Sequence, residues 1–387
     1  MKHLVLVGAG HAHAQILLDW AAHPMLNVTL TVVSPESLVP YSGMVPGWLA
    51  GTYQFEEIAI DFLALCAAAG ACWVAAELQA IDPEQRRLHL STGEWLDYDI
   101  VSLNVGSTLS PPAAHESGAT VLALRPLSGL RRHYQAFVEN WSTERSDQPL
   151  TVTAVGGGAA GFESLLAVLR RLRQARPDRP VNGALMSRST TLLPGFAPMA
   201  RRAALRALAQ AGVDVQLGCS WSTATQRPGE LVLWATGAQA HDWQLEPQRR
   251  GRLSVNSRGF VRVDAHLRAL SHPHIFAVGD CAQWGSEADA LPKAGVYAVR
   301  MGPVLSGNLR AALVGAPLAV FAPQRRFLSL LSTADGRAIA SRGDLGASGA
   351  WVWHLKDYID RSFIRRFAAR SKQPASGHGS APSPPHL

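Results

Sequence analysis

The chain has 387 residues, 47% of them apolar, and a formal net charge of +7. That length is too great for one small domain and suits two or three, each with a sizeable core. The basic balance suits anionic cofactors or an anionic membrane surface. No long Lys/Arg run stands in the body of the chain, so nucleic acid is not an expected partner.

The first elements read as a βαβ unit. His3–Val7 predicts a short buried strand, Ala12–Ala22 a helix and Val28–Val33 a second strand, a pattern that needs a parallel sheet. The run Leu4–Val7 enters a glycine turn too early for a signal peptide. The Pro- and Gly-rich stretch Ser34–Gly51 reads as a long irregular loop, and loops of that length in compact domains usually serve function. Ile58–Ala69 reads as a helix and Cys72–Ile81 as extended chain. A hairpin turning at Thr92-Gly93 follows, then the strand Ile100–Asn104, with Gly106 just beyond, and a helix around His133–Asn140.

The pattern then restarts. Leu150–Arg173 predicts a strand, a glycine turn and a helix, and Val181–Ser187 the next strand. Met199–Ala211 reads as a helix, Val213–Leu217 and Leu231–Ala235 as strands. His274–Ala282 reads as a strand ending in Gly-Asp. A hairpin around Asp335-Gly336 precedes a terminal helix over Trp351–Phe367, and the polar tail from Arg370 reads as disordered. No uncharged run approaches the ~20 residues that span a bilayer. Two strand–glycine loop–helix units make an internal repeat, which outweighs either motif alone.

A phosphate needs backbone N–H groups aimed at it and no side chain in its way, which a glycine loop opening a helix supplies. Gly156, Gly158 and Gly161 complete G-x-G-x-x-G in the second unit. In the first, Gly8 and Gly10 keep the two positions nearest the phosphates, and His13 replaces the glycine that serves helix–strand packing. The acid that usually ends the next strand and holds ribose is missing from both. Ser34, with Glu36 beyond it, stands there in the first unit, and Ser187 followed by Arg188 in the second. Arg188 reads either as a partner for a 2′-phosphate or as a solvated loop residue.

In their order, these loops with "LWATGA" (Leu233–Ala238) and "IFAVGDCA" (Ile275–Ala282) resemble the pyridine nucleotide–disulfide oxidoreductase superfamily over roughly residues 1–310. The fold so implied is α/β, with two Rossmann-like dinucleotide-binding domains and a small C-terminal region. Its expected parts are residues 1–115 and 245–310 for FAD, 116–244 for NAD(P)H, and 311–368 with an amphipathic helix, before the tail 369–387. The resemblance implies FAD at Gly8, Gly10, His13 and Ser34, with Pro40, Tyr41 and Gly106 also at that site. It implies Gly279 and Asp280 on the ribityl chain. NAD(P)H falls to Gly156, Gly158, Gly161, Ser187, Thr236 and Gly237. Lys293, at a helix start beside the pyrimidine end of the flavin, and Glu163, near the nicotinamide, are the expected catalytic groups.

The four cysteines, Cys66, Cys72, Cys219 and Cys281, include no C-x-x-C and no zinc spacing, and none precedes Leu65. No metal site is expected, a reduced cytoplasmic setting fits, and a disulfide reductase does not. "GAGHAHAQ", "PYSGMVPG" and "LPKAGVYAVRMGPVL" resemble instead the type II NADH dehydrogenase-like branch, above all its flavoproteins associated with selenophosphate synthetase. That implies hydride transfer from NAD(P)H to flavin and electrons onward to a quinone-like acceptor. A low-turnover redox sensor and a sulfide:quinone reductase are the alternatives, and a homodimer stays open. On a helical wheel Trp351, Val352, Leu355, Tyr358, Ile359, Phe363 and Phe367 share one broad face, with Lys356 and Arg366 at or within it. Such a face suits either a peripheral membrane contact at the inner face of the cell membrane or a cap on the flavin domain.

Overall fold

The computed structural model describes residues 1–111, 119–222, 229–286, 290–324 and 326–368. Two five-stranded, all-parallel sheets carry the architecture. The first runs in the order Ile275–Ala277, Ile100–Leu103, Lys2–Val7, Val28–Val33, Cys72–Val74. The second runs Thr120–Ala123, Leu231–Trp234, Leu150–Val155, Val181–Ser187, Val213–Leu217. Each glycine-loop strand is thus the middle strand of its sheet. The chain crosses to one side of it through the following helix and returns on the other side much later. Each loop therefore opens at a topological switch point, where open α/β sheets leave a crevice for ligands.

The middle strands are buried on both faces, as their unbroken apolar runs require. Leu4, Val5, Leu6, Val152 and Ala154 are fully covered. Helix His11–Ala22 packs against the long helix Gly295–Val314, and the crossing is close: a Cβ on Gly302 would lie 3.1 Å from Gln15 Cβ and 3.4 Å from Ala12 Cα. Strands Ser329–Ser332, Ala338–Arg342 and Leu345–Gly349 form a separate antiparallel sheet, with the expected hairpin between the first two. Helix Ala350–Ala368 follows it.

Several expectations need correction. The stretch Ser34–Gly51 contains a strand, Leu38–Pro40, and a largely buried helix, Val45–Leu49, because its apolar residues pack rather than face solvent. The predicted helix from Ile58 begins at Phe62, since Ala59–Asp61 pairs with Leu38–Pro40. Cys72–Ile81 divides between the first sheet and the three-stranded antiparallel sheet that begins at Leu78. The helix around His133–Asn140 extends over Leu127–Thr143. The boundary placed at residue 310 falls inside helix Gly295–Val314, which ends on a left-handed Gly315. The boundary at 115–116 and the tail from 369 lie outside the described residues.

Candidate functional site

The second loop has the geometry its glycines suggest. Gly156 sits at φ +130°, open only to glycine. A Cβ on Gly161 would stand 2.0 Å from the Gly156 carbonyl oxygen, so the helix can lie this close only without one. At Gly158 a Cβ would meet nothing within 4 Å, which leaves the space in front of helix Ala159–Ala175 open.

The first loop reaches the same end differently. Gly8 is at φ +93°, and its carbonyl is the counterpart of the Gly156 carbonyl. His13, fully buried, places Nδ1 2.6 Å from that oxygen and Nε2 2.8 Å from Ser102 Oγ. A carbonyl can only accept, so Nδ1 carries the proton and Nε2 accepts from Ser102. Burial pushes the imidazole down to about 4, so it is neutral near pH 7. The ring ties the helix to the sheet where the second loop uses bare contact.

Three helix starts bound these crevices: His11–Ala22, Ala159–Ala175 and Gly295–Val314. None is capped by the side chain of its own N-cap residue and none has an acidic residue in its first turn; only neutral Asn104 reaches the first of them, accepting from Ala12 N–H at 3.2 Å. Helix starts with their dipoles unopposed suit anionic ligands. Beside the first loop, His11 Nε2 is buried without a hydrogen-bond partner among the described residues. An orphaned ring nitrogen next to two glycines and an open helix start fits a bound dinucleotide. Asp280 lies in the turn Gly279–Cys281, across the crevice. Its Oδ2 accepts from Arg125 and, at 3.4 Å, from Ser107 Oγ. A small cavity beside it is lined by Gly279, Asp280, Trp284, Lys293, Tyr297 and Met301 among others.

Residues 2–302 match the family model for pyridine nucleotide-disulphide oxidoreductases. The chain belongs to that family. It is 29% identical over 309 residues to an NADH dehydrogenase-like protein of Mycobacterium tuberculosis, covering 73% of each chain. It is 23% identical over 312 residues to a probable NADH dehydrogenase of Dictyostelium discoideum, covering 73% of this chain and 68% of the relative. Among solved structures, it superposes on NDH2 of Plasmodium falciparum in complex with NADH with a TM-score of 0.73 at 12% identity, over 96% of this chain and 98% of the other. The sulfide:quinone oxidoreductase of Aquifex aeolicus gives 0.75 at 14% identity, over 96% and 92%.

The oxidoreductase fold brings most of the expected residues to its two crevices. Pro40 and Tyr41 close the strand beside the first loop. Tyr41 packs on Phe363 with ring centroids 4.5 Å apart and meets His11 edge-on at 5.5 Å. Ser34 is buried and its Oγ reaches only Glu36 O, at 3.3 Å. Gly106 is left-handed at φ +74°. Thr236 and the left-handed Gly237 follow strand Leu231–Trp234 at the edge of the second loop. Lys293 precedes its helix by two residues and is half-buried. Its ammonium donates to Ala282 O, lies 3.8 Å from the centre of the Phe260 ring, and is pushed down to about 8 by burial.

Glu163 is buried and accepts from the Ser332 N–H at 2.7 Å. Burial raises its carboxyl to about 7, against the attraction of Lys356. The helical wheel places Lys356 at or within the apolar face. Instead it is buried, donating to Asp360 and to Gly43 O, each at 2.7 Å. The helix wheel is corrected accordingly. Val352, Lys356, Asp360 and Phe367 turn inward, while Trp351, Leu355, Tyr358 and Ile359 stay exposed.

Sequence reasoning missed four participants. Asn104, buried, accepts from Ala12 N–H at 3.2 Å and donates to Val278 O at 3.1 Å, so it joins the first loop to the Gly279 turn. A lone Asn ending an apolar strand was the available signal. His11 stood within the fingerprint itself. Arg125 and the docking of Lys356 gave no local signal, because Asp280 and Gly43, their partners, lie more than 150 and 300 residues away.

Proposed function

We propose that this protein is an FAD-dependent NAD(P)H dehydrogenase of the type II kind, passing electrons to a quinone. The observation that carries the reading is the pair of glycine loops, each opening a helix with no acid in its first turn at the switch point of its own parallel sheet. Bound FAD would supply the two-electron exchange between nicotinamide and quinone. The residues do the rest. Gly8, Gly10 and the start of helix His11–Ala22 hold the FAD pyrophosphate, and Asp280, steadied by Arg125, holds a sugar hydroxyl. Lys293 and the start of Gly295–Val314 favour negative charge at the pyrimidine end. Gly156, Gly158 and the start of Ala159–Ala175 hold NAD(P)H.

Quinone reduction consumes protons. Glu163, with its carboxyl near 7, can hold or release one at Oε, and Lys356 and Asp360 set the field around it. The superposition on a sulfide:quinone oxidoreductase fits the sulfide alternative in fold, and the cysteines weigh against it. All four cysteines are free, and Cys281 donates its thiol to backbone carbonyls and is pushed up to about 11.

No described helix is long and apolar enough to cross a membrane. The exposed Trp351, Leu355, Tyr358 and Ile359 recur at i, i+4, i+7 and i+8 on the C-terminal helix, which suits a peripheral membrane surface. Removing this helix would also remove Lys356 and Phe363 from the site, so point changes at Trp351 and Tyr358 are the proper test of vesicle binding. The function itself is tested by the absorption spectrum of the purified protein, anaerobic bleaching by NADH or NADPH, and reoxidation by a soluble quinone. A protein without flavin refutes it.

A further inference from the structure

The adenosine end of the second crevice is built without acid. Ser187 closes strand Val181–Ser187, next to the glycine-loop strand. Its Oγ lies 2.9 Å from where a Cβ on Gly157 would stand, so the hydroxyl rests against the loop. That is where the ribose of a dinucleotide lies in this fold, and where a carboxylate would hold the 2′-hydroxyl of NADH. Such a carboxylate would also repel a 2′-phosphate.

From Ser187 to Phe196 there is no Asp or Glu, and none from Leu217 to Ser222. These two segments meet: Cys219 N–H donates to Ser187 O at 3.0 Å and Gly218 N–H to Ser189 O at 3.1 Å. Arg188 is exposed between them in sequence and enters no ion pair among the described residues. Ser187 Oγ accepts from Ser189 N–H, at 3.2 Å, which leaves the hydroxyl proton to donate. Trp221, on the same edge, meets Trp234 with centroids 5.4 Å apart, an aromatic surface suited to a purine.

We infer that this edge selects NADPH over NADH, with the Arg188 guanidinium and the Ser187 hydroxyl receiving the 2′-phosphate. The inference rests on the second loop being the NAD(P)H site. A charge-assisted, forked contact of this kind is worth about 10- to 100-fold in affinity.

The test uses the FAD-loaded protein, so that the first crevice is filled. Calorimetric titration with 2′,5′-ADP and with ADP should show 2′,5′-ADP binding about tenfold tighter or more. Arg188→Ala should lower 2′,5′-ADP affinity by about 10- to 100-fold. Ser187→Asp should reverse the order of the two ligands, and the NADPH/NADH ratio of kcat/KM should follow. Equal binding of the two nucleotides by the wild type, or an Arg188→Ala protein with an unaltered ratio, overturns the inference. Anaerobic bleaching separates the two levels. If NADH bleaches the flavin and NADPH does not, the selectivity falls and the dehydrogenase reading stands. If neither bleaches it, both fall.

Discussion

His13 offers a stability experiment with a built-in control. Replacing it by Ala deletes the bonds to Gly8 O and Ser102 Oγ and leaves a cavity in a fully buried place. Lost bonds to buried groups cost ~1–3 kcal/mol each, and the cavity adds to that, so a loss of about 3 kcal/mol is expected at pH 7.5. The pH dependence follows from the ring's position. Its pKa falls from 6.5 to about 4 on folding. Below pH 6.5 the unfolded chain therefore binds a proton that the folded chain refuses, and stability drops until pH reaches the folded value. At pH 5 the two values give a penalty of about 2 kcal/mol in the wild type. The Ala variant has no such penalty. His11, also pushed down to about 4, contributes equally to both proteins and cancels. Urea unfolding at saturating FAD should thus show a wild-type advantage near 3 kcal/mol at pH 7.5 shrinking to about 1 kcal/mol at pH 5. An advantage that stays constant with pH would refute the neutral, doubly bonded ring.

The remaining predictions concern the second loop and the buried charges. Gly161→Ala drives a Cβ into the Gly156 carbonyl and should lower the melting temperature, whereas Gly158→Ala should leave it in place and raise the KM for NAD(P)H about tenfold or more. Lys356→Met strands the Asp360 carboxylate and should cost about 3–5 kcal/mol in urea unfolding, most of which the double change Lys356→Met with Asp360→Leu restores. Glu163 has its pKa raised from 4.5 to about 7, so its stabilising proton is fully present below pH 4.5 and lost as pH rises through 7. Glu163→Gln should flatten the stability–pH curve across that window and remove an ionisation near pH 7 from the quinone half-reaction.

The repeat was legible because it rests on local physics. A buried strand, a glycine turn and an amphipathic helix each leave a mark within thirty residues, and two such marks imply two parallel sheets. Two features beside the first glycine loop were not legible in the same way. Ser34–Gly51 is rich in Pro and Gly, which marks turns, yet Val45–Leu49 is helical because Met44, Trp48 and Leu49 are drawn into the core between the sheets. Asn104 could be placed at a strand end, but its two hydrogen bonds, from Ala12 N–H and to Val278 O, depend on the register of three strands and on a turn over 170 residues later.

The C-terminal helix shows why a wheel alone misassigns a face. Its apolar residues cover more than half its circumference, so periodicity cannot tell which side docks. The buried ion pair decides. Lys356, paired with Asp360 four residues on, donates to the Gly43 carbonyl on one side only, and Phe363 follows onto Tyr41. That leaves Trp351, Leu355, Tyr358 and Ile359 facing outward. One helix thereby presents two faces. Its charged inner face lies in the field around Glu163, and its apolar outer face is the one the proposed membrane contact would use. A charge at Trp351 or Tyr358 should weaken vesicle binding while the soluble-quinone rate is kept. A loss of both together would mean that the outer face supports the site instead of the surface contact.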